Sequence, residues 1–349
     1  MNLMDREWKA FKCEDVFNIY TGASIPVKDL INGNIPRITA SETNNGVIGY
    51  YKKMDIKNYR ELTNFISISF LGGVFYHPYT ASLDMKIHAV KLVDRELNKY
   101  LGVFLVRAIK QTVSRFTYGD QLSSTDLPRQ KILLPVNNDG KPDFEFMELY
   151  AKEKEYKMLS KYKKYLKNLD TLTHTHGHSL EDIEWKEYKL CDIFNYISRG
   201  KRLKKGDHIN GNIPYISSTM LNNGVDGFIG NKRGKKFDNC LTIANSGSVG
   251  YSFYHPYEFI GSDHVTALKD DRYNRYTYIF TTVLLKRLSE KYSFNREIND
   301  YRINEEKILM PVNTKTGKIA YDYMEEYIKY NMKKQIEKYL AYKQIKFSH

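Results

Sequence analysis

The apolar and polar positions of the chain form short runs that predict strands. The apolar runs Phe65–Phe70 and Leu241–Ala244 are typical of buried strands, and each is followed by a glycine-containing bend. Ile-Pro-x-Ile segments at Ile35 and Ile213 predict the starts of further strands, because a proline is tolerated at the first residue of a strand or on an edge. The pattern therefore predicts a protein rich in short β-strands.

Two kinds of helix follow the predicted strands. Apolar residues at helical spacing predict one helix over Tyr100–Phe116 and another over Tyr276–Tyr292. Narrower apolar stripes, separated by lysine and glutamate, then predict two long amphipathic helices of the kind that pair in a coiled coil. The stripes are Met147, Tyr150, Ala151, Met158, Tyr162, Tyr165 and Leu169 in the first helix, and Met324, Tyr327, Ile328, Met332, Tyr339 and Tyr342 in the second. An ordinary helix packed on its own domain is the alternative.

Almost every feature occurs twice. Ile31–Pro36 returns as Ile209–Pro214 and Phe75–Tyr79 returns as Phe253–Tyr257, in both cases 178 residues later. Repeats that stack into solenoids are about 20–50 residues long, so this repeat is a whole domain. We therefore predict an α+β fold of two tandem domains, each followed by a long helix. The predicted boundaries are domain 1 at 1–142, spacer helix 1 at 143–169, a linker at 170–184, domain 2 at 185–320 and spacer helix 2 at 321–349.

Composition narrows the class of partner. A formal net charge of +13 and a pI of about 9.2 favour a polyanion such as nucleic acid. No apolar stretch approaches the roughly 20 residues of a membrane span, and the charged N-terminal segment lacks the apolar core of a signal peptide. Cys13, Cys191 and Cys240 show no metal-ligand spacing. We therefore expect a cytoplasmic protein in a reducing compartment, without membrane association.

Motifs for catalysis are scarce. The chain has no glycine-rich phosphate loop, no Gly-x-Ser-x-Gly elbow, no zinc-protease helix and no methyltransferase cofactor loop. Asp143, Glu155 and Lys157 imitate the residues that hold a divalent ion in metal-dependent nucleases. Glu155 and Lys157 fall within a predicted helix, however, and the second copy lacks the set. A nuclease therefore stays only an alternative.

The linker contains a possible metal-binding pattern. His174, His176 and His178 alternate with other residues, but no cysteine or carboxylate cluster completes a site and the pattern is not repeated after domain 2. We therefore predict no metal site.

Polar loops are the better candidates for function. Asn44-Asn45-Gly46 and Asn222-Asn223-Gly224 predict turns, because Asn-Gly pairs accept a positive φ. Serine, threonine and asparagine side chains around these turns could bond to base edges or phosphates, and so could the loop after each predicted helix. The alternative is that they only form turns or a solvated surface. The predicted DNA-binding residues are Thr39, Ser41, Asn44, Asn45, Arg115, Tyr118, Gln121, Arg199, Lys201, Arg202, Lys204, Ser217, Ser218, Thr219, Asn222, Asn223, Lys232, Arg233, Ser246, Ser248, Asn295 and Arg296.

The two copies differ most in their basic loops. Arg199–Lys205 carries five cations, whereas its counterpart Thr21–Lys28 carries one. Likewise Asn231–Lys236 is more basic than Lys53–Lys57. A shared scaffold with different polar loops is what the recognition of two different sequences requires.

With these residues in view, the chain resembles the DNA specificity subunits of restriction-modification systems. The resemblance rests on the Ile-Pro-x-Ile-Ser-x-Thr segment with its Asn-Asn-Gly-Val sequence, on Asn245–Gly250 and on Ser123–Pro135, and it covers nearly the full length. In domain 1, Ser67–Gly72 replaces the Asn-Ser-Gly-Ser run. Short spacer helices and the Asn137–Phe144 segment are closer to a type IIB-like branch than to type I subunits.

The resemblance implies two target recognition domains whose spacer helices pair as an antiparallel coiled coil. It implies a non-catalytic subunit without a cofactor, since methyltransferase subunits, fused to or joined by a restriction nuclease subunit, would bring S-adenosylmethionine and magnesium. We therefore expect it to bind an asymmetric, bipartite target in double-stranded DNA and to direct these partners.

Helix length predicts the spacing of that target. Helices of about 23 residues would be about 34 Å long, which corresponds to half-site centres about 10 base pairs apart. A metal-dependent nuclease and a nucleic-acid-binding accessory protein that prefers RNA are the alternatives.

Overall fold

The chain forms two compact units. A computed structural model describes residues 1–170 and 179–346, and the chain divides into Met1–Lys161 and Tyr162–His349. Each unit combines strands with helices, so the predicted α+β fold with a duplicated domain is confirmed. Within the described ranges, no helix combines the length and the apolar character needed to cross a membrane. The predicted metal-binding alternative at His174, His176 and His178 lies outside the described residues.

Domain 1 is built around one mixed sheet. Its strands are β1 (Trp8–Lys12), β2 (Phe17–Thr21), β3 (Asn32–Ile38), β4 (Val47–Tyr51), β5 (Glu61–Ser69), β6 (Val74–Leu83), β7 (Ile87–Leu92) and β8 (Lys131–Pro135). Its helices are α1 (Cys13–Val16), α2 (Lys99–Val113) and α3 (Phe144–Asp170). Six strands form a sheet in the order β2-β7-β5-β6-β3-β4, while β1 pairs with β8.

Helix α2 supplies much of the core of domain 1. The Asn98 side chain caps its first turn by accepting from two backbone N–H groups. Leu105 and Ile109 are fully buried in one cluster with apolar side chains of β5 and β7. Each such side chain contributes about 1.5–3 kcal/mol. The helix ends at Val113, before the predicted Phe116, because the chain then turns into a tight hairpin.

Domain 2 repeats this plan with shorter strands. Its strands are β9 (Glu184–Lys189), β10 (Tyr196–Arg199), β11 (Asn210–Ile216), β12 (Val225–Ile229), β13 (Lys236–Phe237), β14 (Cys240–Ala244), β15 (Ser252–His255), β16 (Phe259–Gly261), β17 (Val265–Lys269) and β18 (Lys307–Val312). Its helices are α4 (Leu190–Ile193), α5 (Arg275–Lys286), α6 (Leu288–Lys291), α7 (Asp300–Glu305) and α8 (Tyr321–Lys346).

The large sheet of domain 1 corresponds to two sheets in domain 2. Their orders are β10-β17-β14-β15 and β12-β11-β16-β13, and β18 pairs with β9. The long strand β6 is represented by β15 and β16, which are interrupted at residues 256–258. Strand β5 is likewise represented by β13 and β14, which part near Asn239, a residue with a φ of 43°.

The helix predicted over Tyr276–Tyr292 is interrupted. The N–H of Arg287 donates to the carbonyl of Leu284 at 3.2 Å. This bond spans three residues, whereas an α-helical bond spans four, so α5 ends at Lys286 and α6 begins at Leu288. The Gly250 loop lies directly against it, since a Cβ on Gly250 would be 2.5 Å from the backbone nitrogen of Ser289.

The predicted strand starts at Ile35 and Ile213 are wrong by a few residues. Strands β3 and β11 begin earlier, at Asn32 and Asn210, so each proline lies inside a strand. The prolines are tolerated because β6 and β16 pair with these strands only after the proline.

The spacer helices extend beyond the apolar stripes from which their length was estimated. Helix α3 has 27 residues and α8 has 26, against about 23 predicted from the stripe. Within the second unit, the ring of Tyr162 lies 5.9 Å from that of Tyr339, and the Tyr165 hydroxyl is 3.9 Å from the sulfur of Met332. Residue numbers rise along the first segment as they fall along the second, so the end of α3 that lies in this unit packs antiparallel to α8.

Candidate nucleic-acid interface

Loops from distant parts of the sequence meet in domain 2. We call this the domain 2 loop surface, made of residues 199–205, 217–219, 245–250, 262–264 and 293–298. Backbone hydrogen bonds connect the loops: Lys201 N–H to Gly261 O at 3.0 Å, Ser262 N–H to Ile216 O at 2.9 Å, Ser248 N–H to Ser218 O at 3.1 Å, and Ile298 N–H to Asn245 O at 3.0 Å. The sequence-predicted basic and polar loops are therefore brought together.

A cleft of about 380 Å³ opens in this surface. Its predicted members are Arg202, Lys204, Ser217 and Ser218. The other side chains and glycine around it are Leu203, Lys205, His208, Tyr215, Asp226, Gly227, Ser262, Asp263 and His264. The cleft thus combines cations with groups that accept and donate directional hydrogen bonds.

Tyr215 lines the cleft together with basic and acidic side chains. Its hydroxyl donates to the carbonyl of Leu203 at 3.3 Å, and its ring packs edge-on against His208 at 4.6 Å. Burial raises the pKa of Tyr215, and the carboxylates of Asp263 and Asp226 raise it further. The hydroxyl therefore remains a donor at neutral pH.

The predicted cations of domain 2 differ in their surroundings. Lys201, Arg202 and Lys204 are exposed and have no ion-pair partner in the described part of the chain. Arg199 instead donates to the carbonyl of Ile298 at 3.1 Å and lies 3.0 Å from the carboxylate of Asp300. These contacts hold two loops together, and the contact of Arg199 with DNA stays a prediction.

Lys232 and Arg233 are exposed in the loop after β12. The neighbouring Asn231 side chain is buried, accepts from the N–H of Ile209 at 2.9 Å and donates to the carbonyl of Asp207 at 2.8 Å. These bonds hold the basic loop 231–236 beside residues 207–209, which follow the basic loop 199–205.

The Asn-Asn-Gly turns form as predicted. Asn44 and Asn45 have φ values of 49° and 52°, and Asn222 and Asn223 have values of 49° and 55°. Asparagine tolerates this left-handed region because its short polar side chain bonds locally. The Asn44 amide does so, donating to Val47 O at 3.2 Å, and the side chains of all four asparagines are exposed.

Other predicted polar residues serve the loops themselves. The Ser41 hydroxyl accepts from the N–H of Thr43 at 3.2 Å, and the half-buried Thr39 is tied to the turn through its backbone. The Thr219 hydroxyl accepts from the N–H of Leu221 at 3.1 Å. Ser246 is buried.

Ser246 supports a histidine of the cleft. Its hydroxyl shares a 2.5 Å hydrogen bond with Nδ1 of His264. Ser248 is half-buried nearby, joined through its N–H to Ser218. Of the predicted serines, Ser217 and Ser218 are therefore the ones that line the cleft directly.

The loop after each domain helix is a small hairpin with an exposed aromatic tip. Tyr118 is 79% exposed in domain 1, and Phe294, which the sequence analysis did not single out, is 75% exposed in domain 2. Asn295 is exposed beside it, and the Arg296 guanidinium lies 5.4 Å from the ring centre of Tyr292.

Two predicted residues of the domain 1 hairpin have internal partners. Arg115 donates to the Gln130 side chain at 2.7 Å and lies over Phe116, while Gln121 donates to the carbonyl of Tyr118 at 3.2 Å. Both side chains are exposed, so these contacts orient them without enclosing them.

Domain 1 has a buried ion pair at the position where domain 2 has Tyr215, the tyrosine that lines the cleft. Arg37 occupies the position of Tyr215, is only 2% exposed, and donates to Asp84 at 2.8 Å and to the carbonyl of Ala23 at 3.3 Å. Strand register confirms the equivalence, since Arg37 lies opposite Gly49 as Tyr215 lies opposite Gly227.

The residues of the nuclease alternative have separate structural roles. Asp143 accepts from the N–H of Phe146 and from Arg6, both at 2.9 Å, and so caps α3. Glu155 accepts from Lys99 at 2.6 Å. Twelve residues of helix separate the two carboxylates by about 18 Å, too far to share one metal ion. Nowhere in residues 1–170 and 179–346 do three His, Cys, Asp or Glu side chains gather as metal ligands.

Several cleft residues escaped the sequence analysis. Tyr215, Asp226 and Asp263 were not selected, yet each differs sharply in chemistry from the residue 178 positions earlier. A position-by-position comparison of the repeats would have identified them.

Comparison with known families gives a match in both copies. The profile of the type I restriction modification DNA specificity domain matches residues 5–162 and 182–341. Among curated proteins, the specificity subunit S.BcgI of a type II restriction enzyme from Heyndrickxia coagulans is 29% identical over 333 residues, spanning 92% of this chain and 94% of that protein.

Solved structures also resemble the chain. The S subunit of a type I restriction-modification system from M. genitalium is 16% identical with a TM-score of 0.44, covering 98% of this chain and 93% of its own. The HsdS subunit from Thermoanaerobacter tengcongensis is 12% identical with a TM-score of 0.33, covering 96% and 90%.

Proposed function

The chain belongs to the type I restriction modification DNA specificity domain family and is a specificity subunit with two such domains; from this premise we propose how it recognises DNA. Domain 1 binds one half, and domain 2 the other half, of an asymmetric bipartite target in double-stranded DNA. The two halves differ because the loops that contact them differ.

The domain 2 loop surface carries this proposal. It places the exposed cations Lys201, Arg202 and Lys204 beside a cleft lined by groups that form directional hydrogen bonds. Cations bind phosphates and make binding salt-dependent, whereas directional groups distinguish base edges. A surface with both kinds of group suits sequence-specific binding to a duplex.

The predicted site residues fall into two groups in this proposal. Those that contact DNA are Asn45, Tyr118, Gln121, Lys201, Arg202, Lys204, Ser217, Ser218, Asn222, Asn223, Lys232, Arg233, Asn295 and Arg296. Those that hold the contacting loops in place are Thr39, Ser41, Asn44, Arg115, Arg199, Thr219, Ser246 and Ser248.

Catalysis belongs to partner subunits in this proposal. Methyltransferase subunits, fused to or joined by a restriction nuclease, bring S-adenosylmethionine and magnesium, and this chain directs them to the target. The structural roles of Asp143 and Glu155 support a non-catalytic chain. We expect the complex to act in the cytoplasm, where the free cysteines remain reduced.

The spacer helices set the distance between the half-sites in this proposal. At about 1.5 Å per residue each is about 40 Å long. That length corresponds to about 12 base pairs at roughly 3.4 Å per pair. We therefore expect half-site centres about 10–12 base pairs apart.

Footprinting of the complex of this chain with its methyltransferase partner tests the proposal. Two protected patches with an unprotected gap are expected, and one contiguous patch would contradict it. Replacing Lys201, Arg202 and Lys204 by alanine should weaken protection of one patch first. Duplex RNA should compete poorly, and equal competition would favour the RNA-binding alternative.

A further inference from the structure

Two surface positions carry opposite chemistry in the two domains. Domain 2 has Asp226 and Asp263, and 178 residues earlier domain 1 has Ile48 and Met85. Ile48 is 50% exposed and Met85 is 55% exposed, so neither belongs to the core. Exposed apolar side chains are stabilised when an apolar partner removes them from water, so these two positions favour an apolar contact.

Backbone geometry shows that these positions are equivalent. In both domains the register between the paired strands shifts by one residue, which leaves Ile48 of β4 and Asp226 of β12 without a partner across the ladder. Met85 and Asp263 each follow a residue whose N–H bonds to the last residue of the neighbouring strand, at 3.0 and 2.9 Å. The same two points of one scaffold therefore carry different side chains.

In domain 2 both side chains border the cleft. Asp226 and Asp263 line it together, and the negative charge of each raises the pKa of the Tyr215 hydroxyl, after the larger effect of burial. Asp226 has no hydrogen-bond partner in the part of the chain that the structure describes, and Asp263 lies 3.9 Å from Nε2 of His264. Carboxylate oxygens thus remain available as acceptors beside the cations.

Carboxylates recognise a restricted set of DNA groups. A carboxylate only accepts hydrogen bonds, and phosphate oxygens, guanine O6 and N7 and thymine O4 also only accept. The donors in the major groove are the amino groups of cytosine N4 and adenine N6. Isoleucine and methionine form no such bonds, but they can contact the C5 methyl group of thymine.

We propose that Asp226 and Asp263 select an amino-bearing base, cytosine or adenine, in the half-site bound by domain 2, and that Ile48 and Met85 select thymine in the half-site bound by domain 1. The inference rests on the proposed function, because it assigns base contacts to surfaces that bind DNA. In this proposal the nearby cations Lys204 and Arg202 bind the phosphates of the DNA backbone. Their positive charge offsets the repulsion between the aspartates and the phosphates, so the aspartates can approach the base edges.

An exchange of the two pairs tests this assignment. The full chain, co-purified with its methyltransferase partner, selects from a library of randomised duplex DNA, and the bound fraction is sequenced. The parent should select two separated halves. D226I/D263M should lose preference for cytosine or adenine at one or two positions by roughly 5- to 150-fold, the size of one good base contact. The other half should not change.

The reciprocal variant should act on the other half alone. I48D/M85D should lose thymine in the domain 1 half-site and leave the domain 2 half-site unchanged. D226N/D263N keeps the shape of both side chains but adds donors, so it should broaden selection toward guanine and adenine. D139I, which changes an exposed aspartate outside the loop surface, is the matched control and should select the parent motif.

The outcomes separate the inference from the proposed function. Unchanged base preferences in the two exchange variants, with binding retained, would overturn the inference and leave bipartite binding intact. A contiguous parent motif would contradict the proposed function, and the variants would still show which bases these four side chains select. If an exchange variant fails to bind, the asparagine pair decides the question.

Discussion

Domains 1 and 2 share a backbone but differ in the chemistry of their loop surfaces. Where domain 2 has Tyr215 and an open basic cleft, domain 1 has Arg37 buried in an ion pair with Asp84. Residues 1–161 contain 23 lysines and arginines against 19 acidic residues, and residues 162–349 contain 31 against 22. The excess positive charge therefore lies mostly in the second unit, at +9 against +4.

The shared parts show why such divergence is tolerated. His77 and His255 are fully buried at equivalent positions and bond to Ser67 and Thr242, respectively, at 2.8 Å. Strand pairing and these buried contacts maintain the fold. Loop side chains that the core does not need are then free to differ and to recognise different sequences.

The largest difference between the domains should appear in DNA binding when the cations of the basic loop 201–205 are replaced by alanine. K201A/R202A/K204A/K205A should weaken DNA binding by the complex about 10²- to 10³-fold near 0.1 M salt and lower the slope of log K against log salt by about 2–4. The counterpart K28A in domain 1 should lower it by less than about 1. Equal effects of the two variants in a salt titration would remove the electrostatic distinction between the domains.

Acidification should instead affect both domains alike. Burial lowers the pKa of His77 and of His255 to about 4, below the unfolded value of about 6.5. Between these values only the unfolded chain binds the proton, so stability falls as pH drops from about 6.5 to 4, by up to about 3 kcal/mol per histidine. Urea unfolding at pH 7 and 4.5 measures this loss of stability. H77Q and H255Q should each remove the part of the loss that comes from the replaced histidine.

The buried ion pair of domain 1 should have the next largest effect. D84S leaves the Arg37 guanidinium buried without its carboxylate and should cost about 2 kcal/mol of domain 1 stability, since Asp84 is partly exposed. R37Y/D84S introduces the residues of domain 2 and should be closer to the parent. Denaturation midpoints decide this, and a double variant less stable than D84S would show that the two scaffolds are not interchangeable here.

The smallest effect should come from the Asn-Asn-Gly turns. Glycine keeps the positive φ of Asn45 and Asn223 without strain, so N45G and N223G should change the unfolding midpoint little. If the amides contact DNA, each variant should lose about 1 kcal/mol of binding free energy at its own half-site. Unchanged binding would assign these asparagines to turn formation alone.

Much of the architecture was predictable because it follows from local patterns and from the repeat. Apolar runs indicated β5 and β14, and the Asn-Gly pairs indicated turns whose positive φ values the structure confirms. The interruption at Arg287 lies beside the Gly250 loop, and helical periodicity carries no information about such a contact between distant parts of the sequence.

The site was predictable in its loops but not in the role of each side chain. Arg199 and Ser246 belong to the expected loops, yet Ile298 and His264 engage them internally. Such contacts join residues distant in sequence. The cleft formed with Tyr215 likewise exists only once separate loops have met.

Co-expression of this chain with its methyltransferase partner subunit, followed by sequencing of host DNA for modified bases, tests the central claim most directly. We expect a split motif with two different fixed halves and a constant gap, and a complex that co-purifies. A contiguous motif, or no modification from proteins that do not co-purify, would contradict recognition of one half-site by each domain.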